Sequence, residues 1–175
     1  LTGPDGPDAD TAPDLLLSFV YDDAAPWPAA ADGGGHSLTR IEGARDPDSP
    51  LSWRISLRAN GTPGDSDTQR FTGDPHADLD ANRRPDFLDY ALPDGRLELH
   101  STTDFLELVF GRNLAADDAV CLIEFSDDLG DWNELDAGAG LAPGLLLPGN
   151  LWRETWRLQT DSPASRYYRI RVNRR

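Results

Sequence analysis

The strongest pattern along this chain is the alternation of apolar and polar positions in its second half. From Leu97 onward, RLELHS, FLELVFG, AVCLIEFS, LWRETWRLQT and RYYRIRV are each bounded by Gly, Asp, Asn or Pro, and most repeat with a period near two. That is the strand period, because successive side chains leave opposite faces of a sheet. In the last run Tyr168, Ile170 and Val172 are expected to face a core beside Ile123 and Phe125, with Arg169 and Arg171 in solvent. In LWRETWRL, Trp152, Glu154, Trp156 and Leu158 share one parity, and Arg153, Thr155 and Arg157 take the other. The runs predict at least five antiparallel strands in a small sandwich over residues 93–175. No segment keeps a helical period over three turns, so the expected fold class is all-β.

The first half is weaker in pattern. Residues 1–14 are mostly Gly, Pro and Asp and are expected to form a flexible acidic leader, or an arm that orders on a partner. Within 15–68, LLLSFVY from Leu15 to Tyr21, SLTRIEG, and SWRISLRA from Ser52 predict three short strands with a thin core. A long loop, DDAAPWPAAADGGG, separates the first two, and NGTPGDSD closes the region with turn chemistry. An edge strand as apolar as LLLSFVY needs a partner for its backbone. Three outcomes are open: the rest of the sheet has been cut away, the strands pack on the second sandwich, or a strand of another copy or of a larger precursor completes the sheet.

Charge narrows the function classes. The 31 acidic residues, 25 of them Asp, outnumber 16 basic ones, all Arg, for a net charge of -15. Such a surface repels phosphate backbones and anionic headgroups, so neither nucleic acid nor a membrane surface is expected as a partner. No apolar run approaches the ~20 residues of a membrane span. A start at Leu1 is expected of a processed product. The single Cys excludes an internal disulfide framework and Cys-rich zinc sites, and within AVCLIEF it reads as a small buried hydrophobe. Nothing resembles a nucleophile elbow, a zinc-binding helix or a phosphate-cradling loop, and the glycines at 33–35 follow no strand into a helix, so the chain is read as non-enzymatic.

Between the two strand regions lies DLDANRRPDFLD. A calcium loop of 12 residues offers oxygens from positions 1, 3, 5, 7, 9 and 12. Here these are Asp78, Asp80, Asn82, the backbone carbonyl of Arg84, Asp86 and Asp89. Four carboxylates in so short a stretch repel one another unless a cation joins them or the loop splays into water. Two positions depart from the pattern: Arg83 stands where glycine would turn the chain, and Asp89 reaches an ion bidentately less easily than Glu. Gly73 and Pro75 rule out an entering helix, so residues 69–92 form one loop with an exiting turn of helix from Pro85 to about Leu92. Asp74 and His76 flank it, and His76 reads as a loop histidine because calcium prefers oxygen.

Three stretches together resemble a known arrangement. YDDAAPWPAAADGGGHSLTRIE with SWR and NGTPG is similar to the C-terminal half of a bacterial lamin-tail domain, an immunoglobulin-like sandwich. DLDANRRPDFLDYAL resembles the dockerin-like calcium-loop linker that follows such domains in secreted bacterial proteins, and IEFSDDLGDWNEL with YYRIRV resembles their terminal sandwich. The resemblance implies an extracellular setting, no agreed activity, and calcium ligands at Asp78, Asp80, Asn82, Asp86 and Asp89. The expectation is a secreted, calcium-stabilised structural or adhesive module, whose loop fixes the angle between a small N-terminal sheet and the sandwich, with the ion in place of an interdomain core. Two alternatives are kept: a carbohydrate-binding accessory domain that stacks polysaccharide on Trp132 or Trp152, and a fibre subunit that pairs strands with its copies.

Overall fold

The computed structural model describes residues 18–136, 140–159 and 166–175. In chain order these form β1 (His36–Arg40), β2 (Trp53–Ala59), the short helix α1 (Asp86–Ala91), β3 (Leu97–Ser101) and β4 (Phe105–Asn113). They continue with β5 (Ala119–Ser126), β6 (Asn133–Glu134), β7 (Leu141–Leu147), β8 (Leu151–Gln159) and β9 (Tyr167–Arg174). All pairings are antiparallel, in sheets of order β1-β2, β3-β4-β8-β7 and β6-β5-β9. The fold is all-β, with one short helix.

The alternation of the second half becomes a sandwich because each run has one apolar face to bury. Leu108 and Phe110 of β4, Ile123 of β5 and Trp156 of β8 share one buried cluster, which α1 joins through Ala91 and Leu92. Tyr168, Ile170 and Val172 pack against it from β9, and β9 pairs Ile170 with Ile123 and Tyr168 with Phe125. The expected parity therefore holds. Its outer face is less simple: Arg169 and Arg171 are half-exposed, yet both pair with Glu124, whose side chain is only 7% exposed.

Two strands were not read from the sequence. β6 is only Asn133–Glu134, and β7 carries Pro143 and Gly144 in a run that otherwise looks like a loop. Proline is tolerated because β7 is an edge strand whose register slips between Ala142 and Leu145. The slip lays Gly144 on the indole of Trp152, where a Cβ would stand 2.2 Å from a ring carbon. Only glycine allows that approach.

The N-terminal region differs from expectation. Residues 1–14 and Leu15–Leu17 lie outside the described residues, Ser18–Tyr21 form no strand, and among the described residues the β1-β2 sheet has two strands. Phe19 instead stacks on Trp53 at 4.3 Å, in an aromatic cluster with Trp27 and Tyr21. Nor is the core thin, because Ile55 of β2 is buried with Leu114 and with Trp152 of β8. The two strands thus pack onto the sandwich, which is one of the three outcomes left open.

A buried ion-pair network completes this junction. Arg54, 2% exposed, donates from Nε to Asp117 Oδ1 at 2.7 Å, from Nη2 to Asp67 Oδ1 at 2.8 Å, and from Nη1 to the Ile55 carbonyl at 3.0 Å. Asp67 also accepts the Leu57 N–H at 2.9 Å, and Asp117 the Glu42 N–H at 3.3 Å. A protein core and this network join the two regions, which corrects the expectation that an ion would replace an interdomain core.

Candidate metal centre

The candidate loop is pinched shut at its base, where the Asp86 N–H donates to the Ala77 carbonyl at 2.7 Å. Inside it, Asp78 accepts the N–H groups of Asn82 (3.0 Å) and Arg83 (2.9 Å). Asp80 accepts the Asn82 N–H at 3.1 Å, and Asp86 that of Leu79 at 3.0 Å. These short-range bonds hold the carboxylates over the loop's own backbone, although Asp78 and Asp80 remain exposed and Asp86 is only half-buried. One carboxylate oxygen each from Asp78, Asp80 and Asp86 comes within 4.8 Å of the other two. Ala81 and Arg83 take φ of 58° and 71°. Arg83 thus adopts the left-handed turn expected of glycine at the sixth position, at a cost on the order of 1 kcal/mol.

Asp89 does not join that focus, and Asn82 is engaged in hydrogen bonds within the loop. The Asn82 carbonyl oxygen accepts the Arg84 N–H at 2.7 Å, and its amide donates to Asp80 at 3.0 Å and to Asp89 at 2.8 Å. Asp89 also pairs with Arg84 Nη1 at 3.1 Å. Among the described residues the loop's ion pair falls on Asp89 alone, so the three converged carboxylates keep only backbone and amide donors. Arg84 also closes the helix, since its Nη2 donates to the Leu92 carbonyl at 2.9 Å and satisfies the C-terminal end of α1. The donor set suits a hard cation, being carboxylate, amide and carbonyl oxygen throughout. His76 and Asp74 are tied to each other through a backbone bond at 2.9 Å.

The loop is not free to drift, because the helix that ends it is built into the core. Phe87 and Ala91 are buried, and Phe71, Phe87 and Tyr90 form an aromatic cluster with centroids 5.3–6.0 Å apart. The Tyr90 hydroxyl lies within hydrogen-bond reach of two acceptors, Asp118 Oδ1 at 2.6 Å and the Gln69 carbonyl, for its one proton. Burial, then the Asp118 bond and charge, push its pKa well above the ordinary value.

Other chemical candidates resolve into packing. Trp152 is 8% exposed, and Arg169 lies 4.0 Å over the ring of Trp132. Burial lifts the Cys121 thiol to about 11, so it is protonated at neutral pH. The residues that sequence reasoning missed are Arg54, Asp67, Asp117 and the pairing of Glu124 with Arg169 and Arg171. Arg54 and Asp117 are 63 residues apart, and no spacing rule links them; cross-strand pairing of Glu124 with Arg169 was the one readable signal. Comparison with family models, curated proteins and solved structures finds no match for this chain.

Proposed function

We propose that this chain is a non-enzymatic, extracellular structural or adhesive module stabilised by calcium bound at Asp78, Asp80, Asn82, Asp86, Asp89 and the Arg84 carbonyl. The observation that carries this reading is the convergence of Asp78, Asp80 and Asp86 in a loop whose exit helix is part of the sandwich core. A divalent cation would cancel the repulsion of the three carboxylates and draw Asp89 from Arg84 to close the site. Because the loop is anchored through Phe87, Ala91 and Leu92, order gained at the ion is transmitted to the sandwich.

The extracellular part of the reading rests on the resemblance of this loop to the calcium-loop linkers of secreted bacterial proteins, with arginine at the turn position and aspartate at the twelfth lowering the expected affinity. The sugar-stacking alternative has less support, since Trp152 is buried and one face of Trp132 is covered.

The test is thermal unfolding with millimolar calcium and with excess chelator, beside a calorimetric titration of calcium. A ligand bound only by the folded state at 100 times its Kd adds about 2.7 kcal/mol. Calcium should raise Tm, and Asp78→Ala should remove both the heat of binding and the rise. Superimposable curves with calcium and with chelator would leave the loop a turn.

A further inference from the structure

Among the described residues β9 is the outer strand of its sheet. The Arg175 N–H donates to the Asp118 carbonyl at 2.9 Å, one step beyond the pairing of Arg174 with Ala119. Antiparallel ladders alternate, so the odd-numbered residues of β9 turn their backbone groups toward β5, and Tyr168, Ile170 and Val172 turn theirs outward. The Leu135 N–H bonds the Ile123 carbonyl at 2.8 Å on the opposite side of β5, which fits the same phase.

A groove of about 500 Å³ runs along this edge. One wall is residues 169–172 of β9, and the other is Pro85, Phe87 and Leu88 at the start of α1. It takes in residues of both parities of β9, so it lies along the edge and not on one face of the sheet. The edge is also the basic part of an acidic protein, since residues 166–175 hold five arginines and no acid. Arg169 and Arg171 each reach Glu124 through Nε, at 2.7 and 2.9 Å, and their side chains stay 47% and 46% exposed. Two guanidiniums sharing one carboxylate leave a net positive charge and further N–H donors beside the groove.

We propose that this groove binds an extended acidic peptide segment, which adds to β9 as a further strand. Its backbone would bond the outward N–H and C=O groups of Ile170 and Val172, its alternate carboxylates would meet Arg169 and Arg171, and its apolar residues would lie against Phe87 and Leu88. A second copy of β9 is a poorer occupant, because antiparallel self-pairing sets Arg169 and Arg171 against their own kind, and like charges directly opposite are destabilising. The same arginines that guard the edge against self-association select a partner of opposite charge. The proposal does not depend on the cation.

The probe is a fluorescent ten-residue peptide of alternating Glu and Val, titrated into the full chain at low ionic strength. Saturable binding is expected, with slowed hydrogen exchange at the Ile170 and Val172 amides. N-methylation of the peptide on one alternate set of amides should abolish binding, and on the other set should spare it. Replacing Glu by Lys in the peptide should weaken binding by about tenfold or more, as should Arg171→Gln in the protein. The modified peptides leave the protein untouched, so the test survives if that variant misfolds. No saturable binding, equal binding of the lysine peptide, or indifference to N-methylation would overturn the proposal. So would a dimer in sedimentation with slowed exchange at Ile170 and Val172 before any peptide is added, which would give the edge to a second copy.

Discussion

The β1-β2 sheet and the C-terminal sandwich are both antiparallel, yet they are held by different physics. The sandwich is built from strands with one apolar face each, and its cluster of Leu108, Phe110, Ile123 and Trp156 is what such faces make when two sheets meet. β2 is buried on both faces from Trp53 to Ser56, but only Trp53 and Ile55 are apolar. Its other face carries Arg54 and Ser56, whose polar groups are satisfied one by one: Arg54 by Asp117 and Asp67, Ser56 by the Ser37 N–H and the Arg58 carbonyl. A region with too little apolar residue to form a sandwich can still be buried if its polar groups are fully paired. The difference lies in what a single truncation does. Cutting back an apolar side chain leaves a cavity, whereas removing an ion-pair partner leaves a charge without water.

The largest effect should therefore come from the smaller sheet. Arg54→Ala strands Asp67 and Asp117 in a buried site and is expected to cost about 3–5 kcal/mol in urea unfolding. A cost under about 1 kcal/mol would erase the contrast between the regions. In the sandwich, Leu108→Ala removes a side chain with no exposed surface and should cost about 2–5 kcal/mol. Arg171→Ala should cost about 1 kcal/mol or less, because Arg169 still holds Glu124. Ile170→Ala, on the inward face of the same strand, should cost about 2–5 kcal/mol, and equal losses from Ile170→Ala and Arg171→Ala would show that β9 does not obey the alternation.

Calcium should sharpen the comparison by acting unequally. The helix that ends the loop contributes Ala91 and Leu92 to the sandwich cluster and nothing to the Ile55 cluster. Hydrogen exchange should slow on adding calcium at the amides of 86–92 and change least in β1 and β2. Uniform slowing would mean that the two regions unfold as one unit.

Acid should act the other way, and more weakly. Burial alone would raise the Asp67 pKa, but the Arg54 hydrogen bond, the Leu57 N–H and the Arg54 charge outweigh it and hold the carboxyl below its ordinary value. A carboxyl depressed in the fold binds fewer protons folded than unfolded, so its contribution is complete above the unfolded value of ~3.9 and is lost as pH falls through the folded one. Stability should decline in that window, and Asp67→Asn should flatten the slope there. An unchanged slope in the variant would remove Asp67 from the acid response.

The same contrast decides what could be read in advance. Five of the sandwich strands were legible because alternation is a local property of sequence. β7 was not, because Pro143 and Gly144 are signals of loop unless the packing of Gly144 on Trp152 is already known. Over Ser18–Tyr21 the strand expectation misled, because local β propensity cannot reveal that Phe19 would find Trp53. Spacing brought out the acidic loop, and Asp78, Asp80 and Asp86 do converge, whereas Asp89 turns to an arginine that spacing had marked only for its carbonyl. The Arg54 network was invisible, since its partners come from two distant segments with no mutual pattern.

Loops are where proteins usually accept added or deleted residues, and the β4–β5 connection is an exception. Leu114 to Asp117 are all buried, and the Ala115 carbonyl accepts the Gln69 N–H at 2.8 Å. The adjacent aspartates face different clients: Asp117 serves Arg54 and the Glu42 N–H, while Asp118 serves the Phe71 N–H and the Tyr90 hydroxyl. One residue inserted between them would put one set of partners out of reach, whichever way the chain relaxed. A change of length is therefore expected to be tolerated poorly in this connection and better at exposed turns such as 127–131 and 148–150.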